Sequence, residues 1–346
     1  MFIKLSANPF GFIVVKSKKD VQKAIICART NNVHLSIKSG GHAYEKSSYG
    51  TNESWVINVS HLTNIKVNKN EMTAFIEPGN TFWSLKEKLW NAGKFGFVVD
   101  YSGNALKELL STWQKWITSN PPKSITSRFE KGSFTSVFRL VFVISETNVT
   151  EGEKQVNLIT NTFPNITNSS INYGSYMDLL QATKDGNWSV NSKHVYFRSK
   201  GFYVSKVLNA AEIDLFVSAL EKHSYVTFIF AEYGGEIGKP ERTETAYVHR
   251  TSLYSTQFLF VIEVGSNGSI ENTRIVGQMY EQKLKQFINE VQFMSDGEHY
   301  QNYEDYDLQD WFQQYFKENG KRLMKVKRRY DRTNFFHSKQ SIPLVN

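Results

Sequence analysis

The stretch Leu35-Ser36-Ile37-Lys38-Ser39-Gly40-Gly41-His42 ends a β-prone run in two glycines and an imidazole. Glycines let the backbone turn tightly and aim successive N–H groups at an anion. Ser39, Gly40 and Gly41 could therefore cradle a pyrophosphate without a cation, with His42 at the rim. An ordinary strand-end turn carrying a surface histidine reads the same way locally. Far along the chain, Tyr300-Gln301-Asn302-Tyr303 sets two phenols and an amide within four residues, and Tyr233 precedes Gly234-Gly235. A phenol with a pKa near ~10 takes a proton only with cationic or hydrogen-bonded help. The bland use of each tyrosine is an aromatic filling a domain interface. His249-Arg250 could contact a substrate or brace a sheet, and bracing is the better reading.

Other chemistries lack their residues. His194, His223, His299 and His337 do not have the spacing of metal ligands, which argues against a zinc or iron site. There is no G-x-S-x-G elbow, Walker A loop or G-x-G-x-x-G fingerprint, so hydrolase, P-loop NTPase and Rossmann dehydrogenase all lose support. Cys27 is the only cysteine, which rules out an intrachain disulfide and a cysteine-based zinc site.

The elements that must position these residues fit a chain of 346 residues, long enough for about two domains. Hydrophobic residues at 40% and charged residues at 21% indicate a folded protein, and no apolar run approaches the ~20 residues of a membrane helix. MFIKLSANPFGFIVV makes a poor signal peptide, while seven Asn-x-Ser/Thr sequons, at Asn52, Asn58, Asn148, Asn165, Asn168, Asn187 and Asn267, hint at secretory ancestry. Net charge is +8, much of it in Lys321–Arg332. That run reads as a solvated helix face with Leu323 and Val326 (or Met324) turned inward, because no nucleic-acid module accompanies it.

Alternation predicts strands at Phe10–Val15, His34–Lys38, Trp55–Val59 and Thr73–Glu77, with helices at Asp20–Asn31, capped by Asp20, and at Phe82–Asn91, stopped by Gly93. A helix at Ala105–Ser119 follows, then a strand over Phe134–Ser145 and a Thr/Asn-rich loop around 157–172. Next come a helix at Ala211–Lys222, strands at Val226–Tyr233 and Gln257–Val264, and a long helix over Ile270–Val291. The pattern predicts an α+β nucleotide-binding unit, then an antiparallel sheet with helices on one face.

The series IKSGGHAYEKSSYG, SWVINVSHLTNIKV and AFIEPGNTFWSLKEKLWNAGKFGFV resembles the start of the flavin domain in berberine-bridge-enzyme-like FAD-linked oxidases, of the vanillyl-alcohol-oxidase/PCMH superfamily. YQNYEDYDLQDW and YFKENGKRLMKVKRRYDRTNFFHSKQSIPL resemble that family's C-terminal pattern, and FAEYGGEIGKPERTETAYVHR its substrate-domain strand. The resemblance implies a PCMH-type FAD-binding domain over residues 1–100, a substrate-binding α+β domain over 101–293, and a segment over 294–346 returning to the FAD domain. It implies FAD held by Ser39, Gly40, Gly41 and His42, with His42 as the covalent tether. Cys27 does not match the family's second tether. The resemblance further implies hydride transfer from a sugar, alcohol or secondary metabolite, with molecular oxygen as acceptor. Tyr303 would be the base with Tyr300 beside it, Asn302 would contact the flavin or hold the loop, and Tyr233 would face the ring. Secretion is the family habit.

Family members continue past a Gly-Lys-Phe-Gly-Phe-Val segment with a large Gly-rich part of the flavin domain. Here Val98-Val99-Asp100 runs almost directly into Tyr101-Ser102 and the Trp113/Trp116 helix. About half of the flavin domain is then missing, and a shortened sheet exposes apolar edges. The competing expectation is therefore an inactive paralogue that has lost FAD and at most binds a small molecule or glycan. A nucleic-acid protein using Lys321–Arg332 ranks far behind.

Overall fold

The computed structural model describes residues 8–344, except 72, 82–83, 86–92, 103–104, 133–136, 147, 164–170, 176–194 and 265–267. The helix expected at Phe82–Asn91 lies outside the described residues apart from Ser84 and Leu85, which are helical. His194 and the sequon residues Asn165, Asn168, Asn187 and Asn267 also lie outside. The chain divides into two compact units: a discontinuous one, Leu5–Asn91 with Glu304–Asn346, and a central one spanning Ala92–Tyr303.

The discontinuous unit opens with β1 (Gly11–Val14), α1 (Lys18–Thr30), β2 (His34–Lys38) and β3 (Ser54–Asn58). The three strands form a parallel sheet in the order β1-β3-β2. Val15, Leu35, Ile57 and Val59 meet Ala24 and Ala28 of α1, whose small side chains let the helix close on the sheet. The cap of α1 is Ser17, not Asp20. Ser17 Oγ accepts the Asp20 N–H at 3.2 Å, and the Asp20 carboxylate accepts the Lys16 N–H at 3.1 Å. An antiparallel hairpin, β4 (Ile65–Asn68) and β5 (Thr73–Ile76), follows. β1 is an edge strand, with Phe12 and Val14 on one face each 47% exposed and Phe10 65% exposed.

The central unit contains β6 (Gly93–Ser102), α2 (Leu106–Thr118), β7 (Ile125–Lys131), β8 (Val137–Ile144), α3 (Val149–Thr162), β9 (Ile171–Ser175), β10 (Val195–Lys200), β11 (Tyr203–Val204), α4 (Ala210–Lys222), β12 (Thr227–Glu232), β13 (Tyr254–Glu263) and α5 (Ile270–Val291). All strands join one antiparallel sheet in the order β10-β13-β12-β7-β8-β6-β9, with β11 on β13. One sheet face presents Phe129, Phe142, Phe228, Phe230 and Phe258, against which α2, α4 and α5 bury Trp113, Phe216 and Phe287. Burying each such ring contributes about 1.5–3 kcal/mol.

The units divide at 91/92 and 303/304, not at 100/101 and 293/294. β6 accounts for the first difference, since its ladder to β8 and β9 places 93–102 in the central sheet. Gly93 thus opens a strand. At the second boundary, Tyr203 N–H donates to Glu298 O at 2.9 Å and Asp296 N–H to Tyr203 O at 3.0 Å, holding this segment to β11. The expected loop at 157–172 is helical through Thr162, and the strand expected over Phe134–Ser145 is described as Val137–Ile144.

The chain re-enters the discontinuous unit through α6 (Trp311–Phe316) and α7 (Gly320–Tyr330), and Phe335 and Phe336 pack on its core. α7 carries the basic run. Its Leu323 and Met324 are half-buried, whereas Val326 is 47% exposed and so is not an inward-facing residue.

Candidate functional site

At the carboxyl end of β2 the chain turns through Ser39–His42, the end of a parallel sheet where ligands are bound. Gly41 has φ +74°, and a Cβ there would stand 2.6 Å from Tyr49 Oη and 3.0 Å from Lys38 Cε. Only glycine fits. The Ser39 hydroxyl donates to the Pro78 carbonyl, anchoring the turn to the loop after β5. Ser39, Gly40 and His42 are exposed, and among the described residues the amides of Gly40, Gly41 and His42 donate to no other protein atom. Exposed, unpaired N–H groups on successive residues fit the anionic end of a dinucleotide.

Tyr233, Tyr300 and Tyr303 are brought together in the central unit, where β12 ends and β13 begins. Tyr233, just beyond β12, is tied there by its N–H to Leu253 O at 2.8 Å. Its hydroxyl lies 3.3 Å from that of Tyr203, which lies 3.0 Å from that of Tyr247. Tyr203 is fully buried, and Tyr233 and Tyr247 are half-buried. The Tyr300 ring stands edge-on to Tyr203, Tyr247 and Tyr303, the last at 5.1 Å between centroids. Asn302 Nδ2 donates to Tyr300 Oη at 2.8 Å, so the amide serves a phenol within its own loop.

Beneath the phenols lies a charged brace. His249, fully buried, stacks on Tyr203 at 4.3 Å, and its Nδ1 donates to Glu298 Oε2 at 2.6 Å. Arg242 donates to the other Glu298 oxygen at 2.6 Å. Arg250 lies 4.8 Å over the Tyr247 ring and donates to the carbonyls of Tyr247 and Ile237. Sequence reasoning missed Tyr203, Tyr247, Glu298 and Arg242. The only available signal was that Tyr247 and Glu298 sit two residues before His249 and Tyr300.

Burial pushes the phenols of Tyr203 and Tyr247 far above their ordinary range. It raises Tyr300 too, although the Asn302 amide opposes it. These three therefore keep their protons at neutral pH, and the cluster can pass protons between hydroxyls or hydrogen-bond a hydroxyl-bearing ligand. Burial pushes the Glu298 carboxyl up, but hydrogen bonds from His249 and Arg242 outweigh it and hold the group below 4.5. A lowered folded-state pKa contributes stability that is present above the unfolded value and lost as pH falls through the folded one. Glu298→Gln is expected to cost about 2 kcal/mol at neutral pH and to flatten the loss of stability in acid. Thermal unfolding of both proteins between pH 7 and 3 checks this. Parallel profiles would show that Glu298 carries none of the acid sensitivity.

Among the described residues, no group of three or more His, Cys, Asp or Glu is arranged to hold a metal, and no helix is long and apolar enough to cross a membrane. Residues 9–102 match the family model described as "FAD binding domain", and residues 299–343 the one described as "Berberine and berberine like". The chain is 31% identical over 159 residues to Monolignol oxidoreductase AtBBE-like 13 of Arabidopsis thaliana, covering 43% of this chain and 29% of that protein. It is 23% identical over 455 positions to Berberine bridge enzyme-like 22 of the same plant, covering 98% of this chain and 85% of the relative. Both matched stretches are similar to the berberine-bridge-enzyme-like family.

The solved structure of wild-type Physcomitrella patens BBE-like 1 superposes on this chain with TM-score 0.81 at 20% identity, covering 99% of this chain and 94% of that one. The fold is accordingly the one expected: a PCMH-type FAD-binding unit, incomplete, with an antiparallel-sheet domain carrying helices on one face. The alignment with Berberine bridge enzyme-like 22 runs over 455 positions against 346 residues here, so at least 109 positions of that relative have no counterpart in this chain. Both family matches fall largely on the discontinuous unit, the first containing the Ser39–His42 turn, and the second begins at His299, ahead of Tyr300.

Proposed function

We propose that this chain is an FAD-dependent oxidoreductase that oxidises a hydroxyl-bearing small molecule, a sugar, alcohol or secondary metabolite, with molecular oxygen as final acceptor. FAD, when bound, supplies the two-electron acceptor. The observation that carries the reading is the gathering of Tyr233, Tyr300 and Tyr303 with Tyr203 and Tyr247 at one end of the central sheet. Tyr303 is assigned the substrate's hydroxyl proton, with Tyr300 beside it. The chain Tyr233–Tyr203–Tyr247, with 3.3 and 3.0 Å between hydroxyls, can relay a proton among its own three phenols. The unpaired amides of Gly40, Gly41 and His42 hold the cofactor's anionic end. His42, exposed beside them, is the attachment point for a covalent flavin, and an imidazole substituent there withdraws electron density and favours substrate oxidation.

A second reading has its own support in the 109 or more positions without a counterpart and in the exposed Phe12 and Val14 of β1. In it the chain is a descendant without flavin that holds at most a small molecule or glycan. One experiment separates the two. The protein is expressed, denatured in acid and run on a gel beside His42→Ala. Flavin fluorescence migrating with the wild-type band and absent from the variant is the expected result. A colourless protein that FAD cannot reconstitute overturns the enzyme reading.

A further inference from the structure

The discontinuous unit holds a cavity of about 630 Å³ that none of Ser39–His42 lines. Its wall includes His34, Ser36, Lys46, Tyr306 and His337. Two of these carry buried polar atoms without a hydrogen-bond partner, Lys46 Nζ and His34 Nδ1. Lys46 is only 6% exposed, and its backbone sits at φ +58°, a conformation natural to glycine and strained for a residue with a side chain. An ammonium closed off from water with no acceptor is among the costliest groups a fold can carry, and burial lowers its pKa accordingly. The chain bears two penalties at one residue on the wall of one cavity.

The surrounding groups are already committed. Lys339 lies 4.9 Å over the Tyr306 ring and donates to the Tyr306 carbonyl. Glu45, also on the wall, accepts the Tyr306 N–H at 3.3 Å, and Glu53 stands exposed at the rim. His34 Nε2 lies 3.1 Å from the His337 carbonyl oxygen. That nitrogen must therefore be the donor, which leaves Nδ1 to accept from a hydroxyl. A phosphate group that carries both an oxyanion and a P–OH would satisfy both orphans together, the oxyanion accepting from Lys46 Nζ and the hydroxyl donating to His34 Nδ1, and the charge-assisted bond is the strong one.

We propose that this cavity binds a small phosphate-bearing ligand, with Lys46 as its charge partner and His34 as a second contact. The site stands apart from the proposed flavin turn and does not depend on it. The test uses the full chain without added flavin, in chloride and in inorganic phosphate at equal ionic strength. Phosphate is expected to raise the melting temperature of the wild type but not of Lys46→Gly. In chloride that variant should melt higher than the wild type, because it loses both the strained backbone and the orphaned charge. Lys46→Met, which keeps the apolar volume, should bind phosphate roughly tenfold or more weakly by calorimetry. Phosphate that shifts wild type and Lys46→Gly equally, or neither, overturns the proposal and leaves Lys46 a strained residue only. Displacement of phosphate by FAD would also overturn it, by assigning Lys46 to the flavin.

Discussion

Replacing Trp113 with alanine is expected to cost the central unit about 4 kcal/mol. Trp113 is fully buried on α2, with Phe129, Phe230 and Tyr254 around it at 5.1–6.3 Å between centroids. Alanine leaves a cavity among rings that the sheet backbone holds apart, so collapse cannot fill it. A polar loss adds to the apolar one. Trp113 Nε1 donates to Ser127 Oγ at 2.9 Å, and that hydroxyl and the Ser127 N–H both bind Glu232. Trp113→Phe keeps most of the volume and loses only the donor, so it should cost about 1 kcal/mol. Denaturant midpoints of the three proteins measure this. An alanine variant within 1 kcal/mol of wild type would mean that α2 is not packed on the sheet.

Tyr303→Phe is expected to slow substrate-driven flavin reduction by about 10²–10⁴-fold while leaving flavin content unchanged. The phenol is the residue assigned the substrate proton, and phenylalanine keeps the ring edge-on to Tyr300 while removing the oxygen. Tyr203→Phe breaks the hydroxyl chain at its buried centre and should have a smaller effect. Stopped-flow reduction across pH reads both variants. A Tyr303→Phe protein within threefold of wild type sinks the base assignment without touching flavin binding.

The parts of the fold legible in sequence were those whose signal is local. α4 and α5 show their periodicity directly, and the strands of the small parallel sheet appear as short β-prone runs. β7 stayed hidden because two residues of its buried face, Ser127 and Lys131, are polar, so Ile125-Thr126-Ser127-Arg128-Phe129-Glu130-Lys131 shows little alternation. α3 is rich in Thr and Asn, poor helix formers, and is helical because Val156 and Ile159 bury against the core. β6 could not be read locally, since its partners begin 35 or more residues further on and its two glycines suggest a loop. The site divides in the same way. His42, Tyr233, Tyr300 and Tyr303 stand in recognisable motifs. Tyr203, Tyr247 and Glu298 come from separate segments, and only the closed sheet makes them neighbours.

The discontinuity of the sheet unit bears on how the protein is made. Its first stretch leaves the ribosome carrying Val15, Leu35 and Ile57, while the phenylalanines that finish its core, Phe335 and Phe336, are not yet translated. The central unit, residues 92–303, must be synthesised in between. At about 5–20 residues per second that interval is on the order of 10–40 s. The nascent chain spends that time with an unfinished core and with the Phe12 and Val14 edge open to any passing strand. Yield should therefore respond to chaperone supply and translation speed more than to the stability of the finished fold.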